Sequence, residues 1–537
     1  MSSKTDAKQS ENGSSPTDGE YPYWMSFKPG DDQVEPIKLQ VKGTIPTWVK
    51  GSLYRNGSGL FEINNQKVNH VFDGFAVLVR FTIQDGGVMF QSHLLDSETW
   101  EKCYKAKRIV VDQFASNALP DPCKSIFSRI FSVFQPPKGT DNTAVNIVER
   151  GDELWAFTET PKVNRIDPKT LSKSGQSDFT DYLAVHLATA HPHLEPDGTL
   201  YNLATCFNYT KAFNIVKIPP NSNGNLSWDQ IEVVGSFPSK WKGTVGYNHS
   251  FGMTENFFVV LEQPYAFSIP RLLIKKIASY TVNDCILAYP KEKTLFNVMT
   301  KLGVNLKTKY MSDPMFVFHF INCYEKDKQL VVDFVFYDDV GFIDKLYMEY
   351  FKDYKYKETD SKPKFGRFVL PLDVSKAVVG KNLVTLDSKA TATLQEDGSV
   401  YLTPDLIIEE GLVMELPQIN YQHYNSKEYR YVYASTIFSK FNKIHKLDLK
   451  ERKVVTYSTD GEEFDYFPGE PIFVPKPGGK REDEGVLLAP ITSNIAGLAS
   501  YLVIIDAETM KEVARAVLPA DVMMTLTFHG TFSTTKL

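Results

Sequence analysis

The sequence predicts an all-β fold and, within that class, a seven-bladed β-propeller. Turn signals flanked by strand-like runs recur from residue 21 almost to the end of the chain, for example at 195–198 and 396–399. Aromatic residues make up 13% of the chain, with 36 Phe and 27 Tyr, which favours strands. At roughly 40–50 residues per blade, the chain of 537 residues allows seven blades with insertions. A tandem of β-sandwiches is the alternative, but no linker separates such units.

The net charge indicates which binding partners to expect, and the cysteine content indicates the cellular compartment. The net charge is −6 and no long basic run is present, so we do not expect a nucleic-acid partner. The five cysteines are dispersed and form no Cys-x-x-Cys pair, which argues against a disulfide framework or a thiolate zinc site. A reducing compartment fits best. The oligomeric state is left open.

The chain is predicted to form one propeller domain from residue 21 to residue 537. Residues 1–20 are rich in Ser, Lys, Asp and Gly and lack an apolar stretch, so we expect a disordered tail rather than a signal peptide. No apolar run has the length needed to span a bilayer. The sequence therefore predicts a cytoplasmic protein that meets any membrane from one side only.

Two segments, at about 120–136 and 265–280, interrupt the hairpin pattern. The second mixes apolar residues with Arg271, Lys275 and Lys276, and the first includes Lys124 and Arg129. Five apolar residues of the first segment fall on one helical face: Ile126, Phe127, Ile130, Phe131 and Phe134. A helix that caps the propeller core is one explanation, and a helix that lies on a bilayer is the other. Two basic, apolar segments in one acidic protein favour a membrane-facing patch.

Three histidines share a layout that predicts a metal site. His191, His249 and His319 each precede a turn that precedes an apolar strand. In a repeat fold, equivalent positions point to one place, and three imidazoles in one place suggest a metal. A fourth candidate is His529, because Gly530 lets the backbone approach closely and ring closure brings the last strand against the first blade. The other six histidines are interpreted as structural or hydrogen-bonded.

Three acidic residues are candidates for orienting these imidazoles. Glu159, Glu415 and Glu470 stand in otherwise apolar or prolyl surroundings. A histidine that binds a metal usually donates its other N–H to an acceptor, often a carboxylate. The alternative is that each is a surface glutamate at the end of a strand.

Eight motifs, spread over residues 36–532, resemble those of the carotenoid cleavage oxygenases. They are GSLYRNG at 51–57, FDG at 72–74, PDPC at 120–123, HPH at 191–193, YNHSFG at 247–252, PQIN at 417–420, EPIFV at 470–474 and FHG at 528–530. The animal branch is indicated, and within it the stretches at 139–142, 158–161 and 321–325 look most like the insect carotenoid isomerooxygenases.

The resemblance implies a seven-bladed propeller with a helical dome over its top face. It implies ferrous iron held by His191, His249, His319 and His529. Glu159, Glu415 and Glu470 would orient three of these ligands and leave His191 without a carboxylate partner. The family lines its substrate tunnel at the positions of Phe72, Phe114, Thr158 and Tyr247.

Two positions depart from the family pattern, and one cysteine has two explanations. Leu416 stands where a relative has an aromatic residue, which affects the shape of the cleft, and Ser58 replaces a usual proline. The resemblance permits a reversible acyl chain on Cys123 near the membrane, whereas the alternative is an unmodified packing thiol.

The function implied is cleavage of a carotenoid C=C bond by O2 to give aldehydes. Central 15,15′ cleavage with isomerisation of one half to an 11-cis retinal is the favoured form, on a substrate such as zeaxanthin, lutein or β-carotene. The alternatives are eccentric 9′,10′ cleavage, retinyl ester isomerohydrolysis and a propeller that only binds carotenoid. The hydrolase would need no oxygen, and the binding protein would release no product. An aromatic, apolar tunnel suits a long polyene in all four cases.

Overall fold

The structure is a computed structural model that describes residues 21–124, 139–352, 362–408, 412–437, 443–459, 461 and 465–535. Strands dominate these ranges and helices are few, as predicted. Two predicted features lie outside the described residues: the tail at 1–20 and the apolar stripe of Ile126, Phe127, Ile130, Phe131 and Phe134.

The chain closes on itself in the first sheet. Its strands lie in the spatial order Ile37–Lys38, Gly87–Leu94, Phe75–Gln84, Gly51–Leu60 and His529–Ser533. Asn56 of an early strand lies opposite His529 of the last one. The closure that was expected to carry a late histidine to the centre of the molecule is therefore present.

The next three sheets follow the chain from residue 146. The second has the order Lys173–Asp178, Lys162–Ile166, Glu153–Phe157 and Asn146–Arg150. The third has Leu187–Ala188, Leu200–Thr205, Phe213–Ile218 and Glu232–Phe237, with His193–Leu194 also paired to its second strand. The fourth has Gly252–Met253, Phe257–Glu262, Thr294–Thr300, Tyr310–Ser312, Val400–Thr403 and Thr391–Leu394.

Three further sheets complete the set. The fifth has the order Phe316–Lys326, Gln329–Tyr337, Lys364–Pro371 and Asp405–Leu406. The sixth has Glu415–Gln418, Tyr431–Ser435, Lys443–Asp448 and Lys453–Ser458. The seventh has Gln40–Gly43, Lys511–Val517, Tyr501–Asp506, Gly485–Ser493 and Tyr466–Pro468, with Ile472–Pro475 also paired to Gly485–Ser493.

Two smaller sheets accompany these seven in the described ranges. One has the order Thr244–Gly246, Tyr265–Ser268 and Ile286–Ala288, and the other pairs Glu62–Ile63 with Gln66–Lys67. Seven sheets of four or more strands are the number that a seven-bladed propeller requires. The count of seven blades itself stays a prediction, as does the single-domain boundary at residue 21.

One hairpin departs from the simple repeat. Its turn signal at 396–399 was recognised, but the hairpin adds its two strands to the fourth sheet instead of starting a sheet of its own. Strand Val400–Thr403 pairs there with Tyr310–Ser312 in parallel. Sequence pattern predicts the turn, whereas the sheet that receives the hairpin is decided by packing.

The helices lie in connections between strands. The longer ones are Glu98–Ala106 and Ile269–Ala278, and the short ones are Gly341–Asp344 and Tyr421–Tyr424. The 3-10 turns are Tyr23–Ser26, Val71–Asp73, Phe179–Asp181, Tyr209–Lys211, Trp228–Gln230, Asn283–Cys285 and Met348–Tyr350. In the part of the chain that the structure describes, no helix is both long and apolar enough to cross a membrane.

Both longer helices begin and end at recognisable caps. Ser97 accepts a hydrogen bond from the Trp100 N–H, and Ser268 accepts one from the Arg271 N–H. Each helix ends at a residue in the left-handed region, Lys107 and Ser279 respectively. These caps hold the two helices in place beside the sheets.

The predicted histidines lie on, or just before, strands at the edges of their sheets. His319 is in Phe316–Lys326, the edge strand of the fifth sheet, and His529 begins the edge strand of the first. His191 comes just before His193–Leu194, and His249 just before the edge strand Gly252–Met253 of the fourth sheet. These edge strands contact those of neighbouring sheets. The sheets therefore surround a common centre with their histidine-bearing edges inward.

Candidate metal centre

The four predicted histidines meet at one point. The ligand atoms of His191, His249, His319 and His529 all lie within 4.8 Å of one another. Nε2 of His249 is 2.9 Å from Nε2 of His191 and 3.2 Å from Nε2 of His319. Three of the rings are buried and His191 is half-buried.

The three predicted glutamates hold three of these rings. Their carboxylates accept hydrogen bonds from Nδ1 of the histidines in three pairs: Glu159 with His249 at 2.5 Å, Glu415 with His319 at 2.7 Å, and Glu470 with His529 at 2.8 Å. Each of the seven large sheets thus contributes one of the seven residues at or just beyond its strands. The alternative of three surface glutamates is excluded by these contacts.

The hydrogen bonds to the carboxylates determine which ring nitrogens have a lone pair directed at the centre. Because Nδ1–H of His249 and of His319 donates to a carboxylate, the Nε2 atom of each neutral ring carries a lone pair. Those two lone pairs face each other at 3.2 Å with no proton between them. A cation placed between the rings would convert this repulsion into coordination, so the residues present fit a metal ion.

Burial disfavours the charged form of the His191 and His529 imidazoles. It lowers the pKa of His191 well below the usual value of 6.5, and the other three rings lower it further. Burial also lowers the pKa of His529, to about 4, although Glu470 acts in the opposite direction. Neutral imidazole is the form that binds a metal, so these two rings are in their ligating form at neutral pH.

Each glutamate accepts a hydrogen bond from a further side chain, which is a neutral tyrosine in two cases and a charged arginine in the third. Tyr247 donates its hydroxyl to Glu159 at 2.6 Å, and Tyr337 donates to Glu415 at 2.7 Å. Burial and the adjacent carboxylate raise the pKa of both phenols well above 10.0, so both remain hydrogen-bond donors. Glu470 instead accepts from the Arg55 guanidinium at 2.6 Å.

The charge on Glu470 is stabilised by two neighbouring residues. Burial would raise the pKa of this carboxyl, but His529 and Arg55 together lower it to about 2. Gln418 adds a third donor at 2.7 Å. Sequence reasoning named Glu470 and missed Arg55, Gln418 and Tyr337. Arg55 and Gln418 lie in the motifs at 51–57 and 417–420, and their presence in those motifs could have identified them.

The predicted tunnel residues form an aromatic wall near the histidines. The ring of Phe72 lies 5.9 Å from that of Phe114 and 6.0 Å from that of Phe528. Phe318, which the sequence did not single out, lies 6.5 Å from Phe72 and 5.0 Å from the His249 ring. Phe318 and Phe528 each precede a central histidine by one residue, a signal that could have found them.

The remaining tunnel candidates lie close to the glutamates. Tyr247 contacts Glu159, and Thr158 is half-buried beside it in sequence. Leu416 lines an apolar cavity together with Ile437, Phe467, Pro468, Leu526, Thr527 and Phe528. Its backbone has φ of 52°, a conformation that costs a leucine energy and that follows directly after Glu415. The cavity thus lies beside the residues that carry Glu415 and His529.

The second predicted membrane segment is a helix with an apolar exposed face. In Ile269–Ala278, Leu273 is 80% exposed and Ile277 is 78% exposed. Lys275 differs from the expectation, since it is buried and its Nζ lies 2.8 Å from Asp112. Cys123, at the start of the first segment, is exposed.

The six other histidines are hydrogen-bonded, as interpreted. They are His70, His93, His186, His193, His423 and His445, and each has a ring nitrogen within 3.2 Å of a polar partner. In the described ranges, no second cluster of potential metal ligands exists.

Comparisons with known proteins agree with this arrangement. Residues 27–534 match the family model described as RPE65, retinal pigment epithelial membrane protein. The chain is 39% identical over 521 residues to the Homo sapiens protein named beta,beta-carotene 15,15′-dioxygenase, covering 94% of this chain and 93% of that protein. It is 36% identical over 516 residues to the Mustela putorius furo protein named carotenoid-cleaving dioxygenase, mitochondrial, covering 93% of this chain and 94% of that protein.

A solved structure confirms the fold. The cobalt-substituted apocarotenoid oxygenase of Synechocystis superimposes with a TM-score of 0.73 at 22% identity, over 95% of this chain and 100% of that chain. At this identity the likeness concerns the β-propeller fold alone.

Proposed function

Because this chain belongs to the RPE65 family of carotenoid oxygenases, we propose that it cleaves a carotenoid at the central 15,15′ double bond with O2. The observation that carries the proposal is the meeting of four imidazoles with three carboxylates behind them. The name of the human relative, identical at 39% of positions over nearly the whole chain, supports the central bond as the one attacked.

The metal in this proposal is ferrous iron. His191, His249, His319 and His529 would hold it through nitrogen alone, a donor set that suits iron as well as zinc, copper or nickel. Iron supplies the activation of dioxygen that cleavage requires. Zinc does not change oxidation state and would not serve. The Synechocystis apocarotenoid oxygenase exists in a cobalt-substituted form, so that protein accepts another metal in place of its own.

The aromatic wall is proposed to hold the polyene beside the histidines. Phe72, Phe318 and Phe528 form a connected set of rings that reaches the His249 ring. Burying a long hydrocarbon against them is favoured at about 25 cal/mol for each Å² of apolar surface removed from water. The same ring faces can stabilise positive charge on the polyene by cation–π attraction, which would ease rotation about a weakened double bond. Isomerisation of one half to the 11-cis form belongs to the proposal on this ground.

Peripheral binding to a membrane from the cytoplasmic side is the remaining part of the proposal. Carotenoids partition into bilayers, so an enzyme that takes them up benefits from contact with the lipid. Leu273 and Ile277 on the helix Ile269–Ala278 are the described apolar side chains that support this contact. Arg271 and Lys276 on the same helix would lie near lipid headgroups.

The cleaved bond can be tested directly. Purified protein loaded with iron is incubated with β-carotene and with zeaxanthin in detergent micelles under ¹⁸O2, with His249→Ala as the control. Two C20 aldehydes, each containing ¹⁸O, are expected from the wild type, and none from the control. Fragments of C27 and C13 would indicate eccentric cleavage. The name of the Mustela relative, carotenoid-cleaving dioxygenase, does not state which bond is cleaved and is compatible with this outcome. Release of a retinol from a retinyl ester, supplied in a separate incubation without O2, would indicate the hydrolase, and no product from either class of substrate would indicate carotenoid binding alone.

A further inference from the structure

Three of the central histidines are held by carboxylates, and His191 is held in another way. In the described part of the chain, Nδ1 of His191 has no hydrogen-bond partner, although its Nε2 lies 2.9 Å from Nε2 of His249. Orientation of a ligand imidazole normally depends on a partner at its other nitrogen. The position of this ring must therefore be fixed through its backbone.

The backbone beside His191 is held through His193. Nε2 of His193 donates to the carbonyl oxygen of Phe251 at 2.9 Å, which leaves Nδ1 as an acceptor for the Tyr421 hydroxyl at 2.9 Å. The Tyr421 oxygen in turn accepts from the Leu194 N–H at 3.2 Å. The two rings stack at 6.2 Å with an interplanar angle of 13°. Every polar atom of this arrangement has a partner.

The contacts join three segments of the candidate centre. Phe251 stands two residues after His249, and His193 stands two residues after His191, so their hydrogen bond ties together the backbones that carry two ligands. Tyr421 begins the helix that follows the Glu415–Gln418 strand. Pro192 lies between His191 and His193, and its ring fixes its own φ and restricts the residue before it. A fixed His193 therefore fixes His191.

We propose that Tyr421 and His193 are positioning residues that set His191 for metal binding in place of a carboxylate. The inference deepens the proposed function, because it takes the four imidazoles as metal ligands. It assigns a role to a histidine that sequence reasoning interpreted as structural only.

The test measures metal affinity, with Co²⁺ as the probe and no carotenoid present. Metal-free wild type, Tyr421→Phe and Tyr424→Phe are titrated with Co²⁺ and followed by its visible absorption. The phenylalanine at 421 keeps the stacked ring and loses only the hydroxyl, so Kd should rise about tenfold. Tyr424, in the same helix, uses its backbone carbonyl to accept from Asn322 and serves as the control, with Kd expected to stay unchanged. An unchanged Kd in Tyr421→Phe would overturn the proposal.

Two further measurements separate positioning from general stability. In a His193→Asn background, Tyr421→Phe should add little to the rise in Kd, because both changes break one network; additive effects would count against it. In metal-free wild type, the Leu194 amide should already exchange slowly with solvent, and fast exchange would contradict a preformed arrangement even if a variant failed to fold. The Co²⁺ titrations contain no carotenoid, so they measure metal binding alone. A failure to detect cleavage in the separate product assay would count against the proposed function and would leave the measured Kd values unaffected.

Discussion

The guanidinium of Arg55 donates to the carboxylate of Glu470 at 2.6 Å, with the two side chains 0% and 2% exposed. Glu470 uses its other oxygen to accept from Nδ1 of His529. Arg55 also donates to the carbonyl oxygen of Phe528 at 2.8 Å. A buried charge in an early strand thus supports a histidine at the far end of the chain.

We predict that Arg55→Met strongly destabilises the metal-free protein. Removing the arginine leaves the Glu470 carboxylate buried without its cation, which costs about 3–5 kcal/mol. Arg55→Lys keeps the charge but lacks the second donor for Phe528, so it should recover part of this loss. Urea unfolding of the three proteins measures the difference.

The exposed pair of Lys50 and Asp85 provides the control for this prediction. Its side chains are 57% and 70% exposed, so solvent screens the pair and Lys50→Met should cost much less than Arg55→Met. A loss in Arg55→Met as small as that in Lys50→Met would contradict the argument.

The three glutamates should differ in how much metal affinity they contribute. Glu470→Gln turns an amide N–H₂ either toward the Arg55 donor or toward the Gln418 and His529 donors, and it should weaken binding most. Glu415→Gln is expected to follow, since its carboxylate is 1% exposed and, of its two other donors, the Tyr337 hydroxyl can rotate and the Leu416 N–H cannot. Glu159 is 31% exposed, so water can replace part of its role and its Gln variant should be mildest.

Iron content after reconstitution and Co²⁺ titration both measure this order. Losses of about 10–100-fold in affinity are typical for residues that orient a metal ligand. Equal losses in the three variants would show that the differing partners of the glutamates have no influence.

Local pattern predicted the turns and the histidines because each depends on neighbouring residues. The turn at 195–198 joins His193–Leu194 to Leu200–Thr205, as its Asp-Gly pair indicated. His191, His249 and His319 were found because each precedes such a turn on the edge strand of its sheet. The shared layout is a property of the repeat and is visible without a structure.

The partners of the glutamates were not predictable in this way. Arg55 and Glu470 are 415 positions apart, and Tyr337 and Glu415 are 78 apart. They meet because the first sheet lies beside the seventh and the fifth beside the sixth. Ring closure predicts these neighbouring sheets, but it does not predict which side chains face each other. The sheet that the hairpin at 391–403 joins was not predictable for the same reason, since it depends on long-range packing.

Stability should depend on pH through Asp73. Its carboxylate is buried and accepts from the Ala115 N–H at 2.9 Å and the Ser116 hydroxyl at 2.6 Å, neither of which carries charge. Burial raises the pKa of Asp73 from 3.8 to about 6. Between these values the folded protein binds more protons than the unfolded chain, so stability falls as pH rises, by about 3 kcal/mol in all.

The neutral variant Asp73→Asn should lack this decline. Unfolding of both proteins is measured at several pH values from 4 to 7, and the difference between them isolates Asp73 from other titrating groups. The variant should gain on the wild type as pH rises through the window. Parallel curves for the two proteins would refute the assignment.

Membrane binding should depend on the helix Ile269–Ala278. Leu273 and Ile277 expose most of their surface, and burying each in lipid contributes about 1.5–3 kcal/mol. The double variant Leu273→Ser, Ile277→Ser should therefore float with phosphatidylcholine and phosphatidylserine vesicles at least tenfold less than the wild type. Leu302, which is 90% exposed in a turn between strands, supplies the control as Leu302→Ser. Unaltered flotation of the double variant would assign the contact to other residues.

The geometry of the product should depend on Phe114. Its ring lies 5.9 Å from Phe72 and 5.1 Å from His70, so it is held at the aromatic wall that reaches Phe528. If ring faces stabilise positive charge on the polyene, Phe114→Leu loses about 0.5–1 kcal/mol of that stabilisation. This loss corresponds to a decrease of roughly two- to fivefold in the rate of rotation about the double bond. The share of 11-cis aldehyde from zeaxanthin should then fall more than the rate of cleavage does. Isomer-resolving chromatography of the products measures both, with Tyr104→Leu, an exposed aromatic, as the control. Two all-trans C20 aldehydes from the wild type would remove isomerisation from the proposal. Central cleavage would remain, because different contacts determine which bond is broken and which bond rotates.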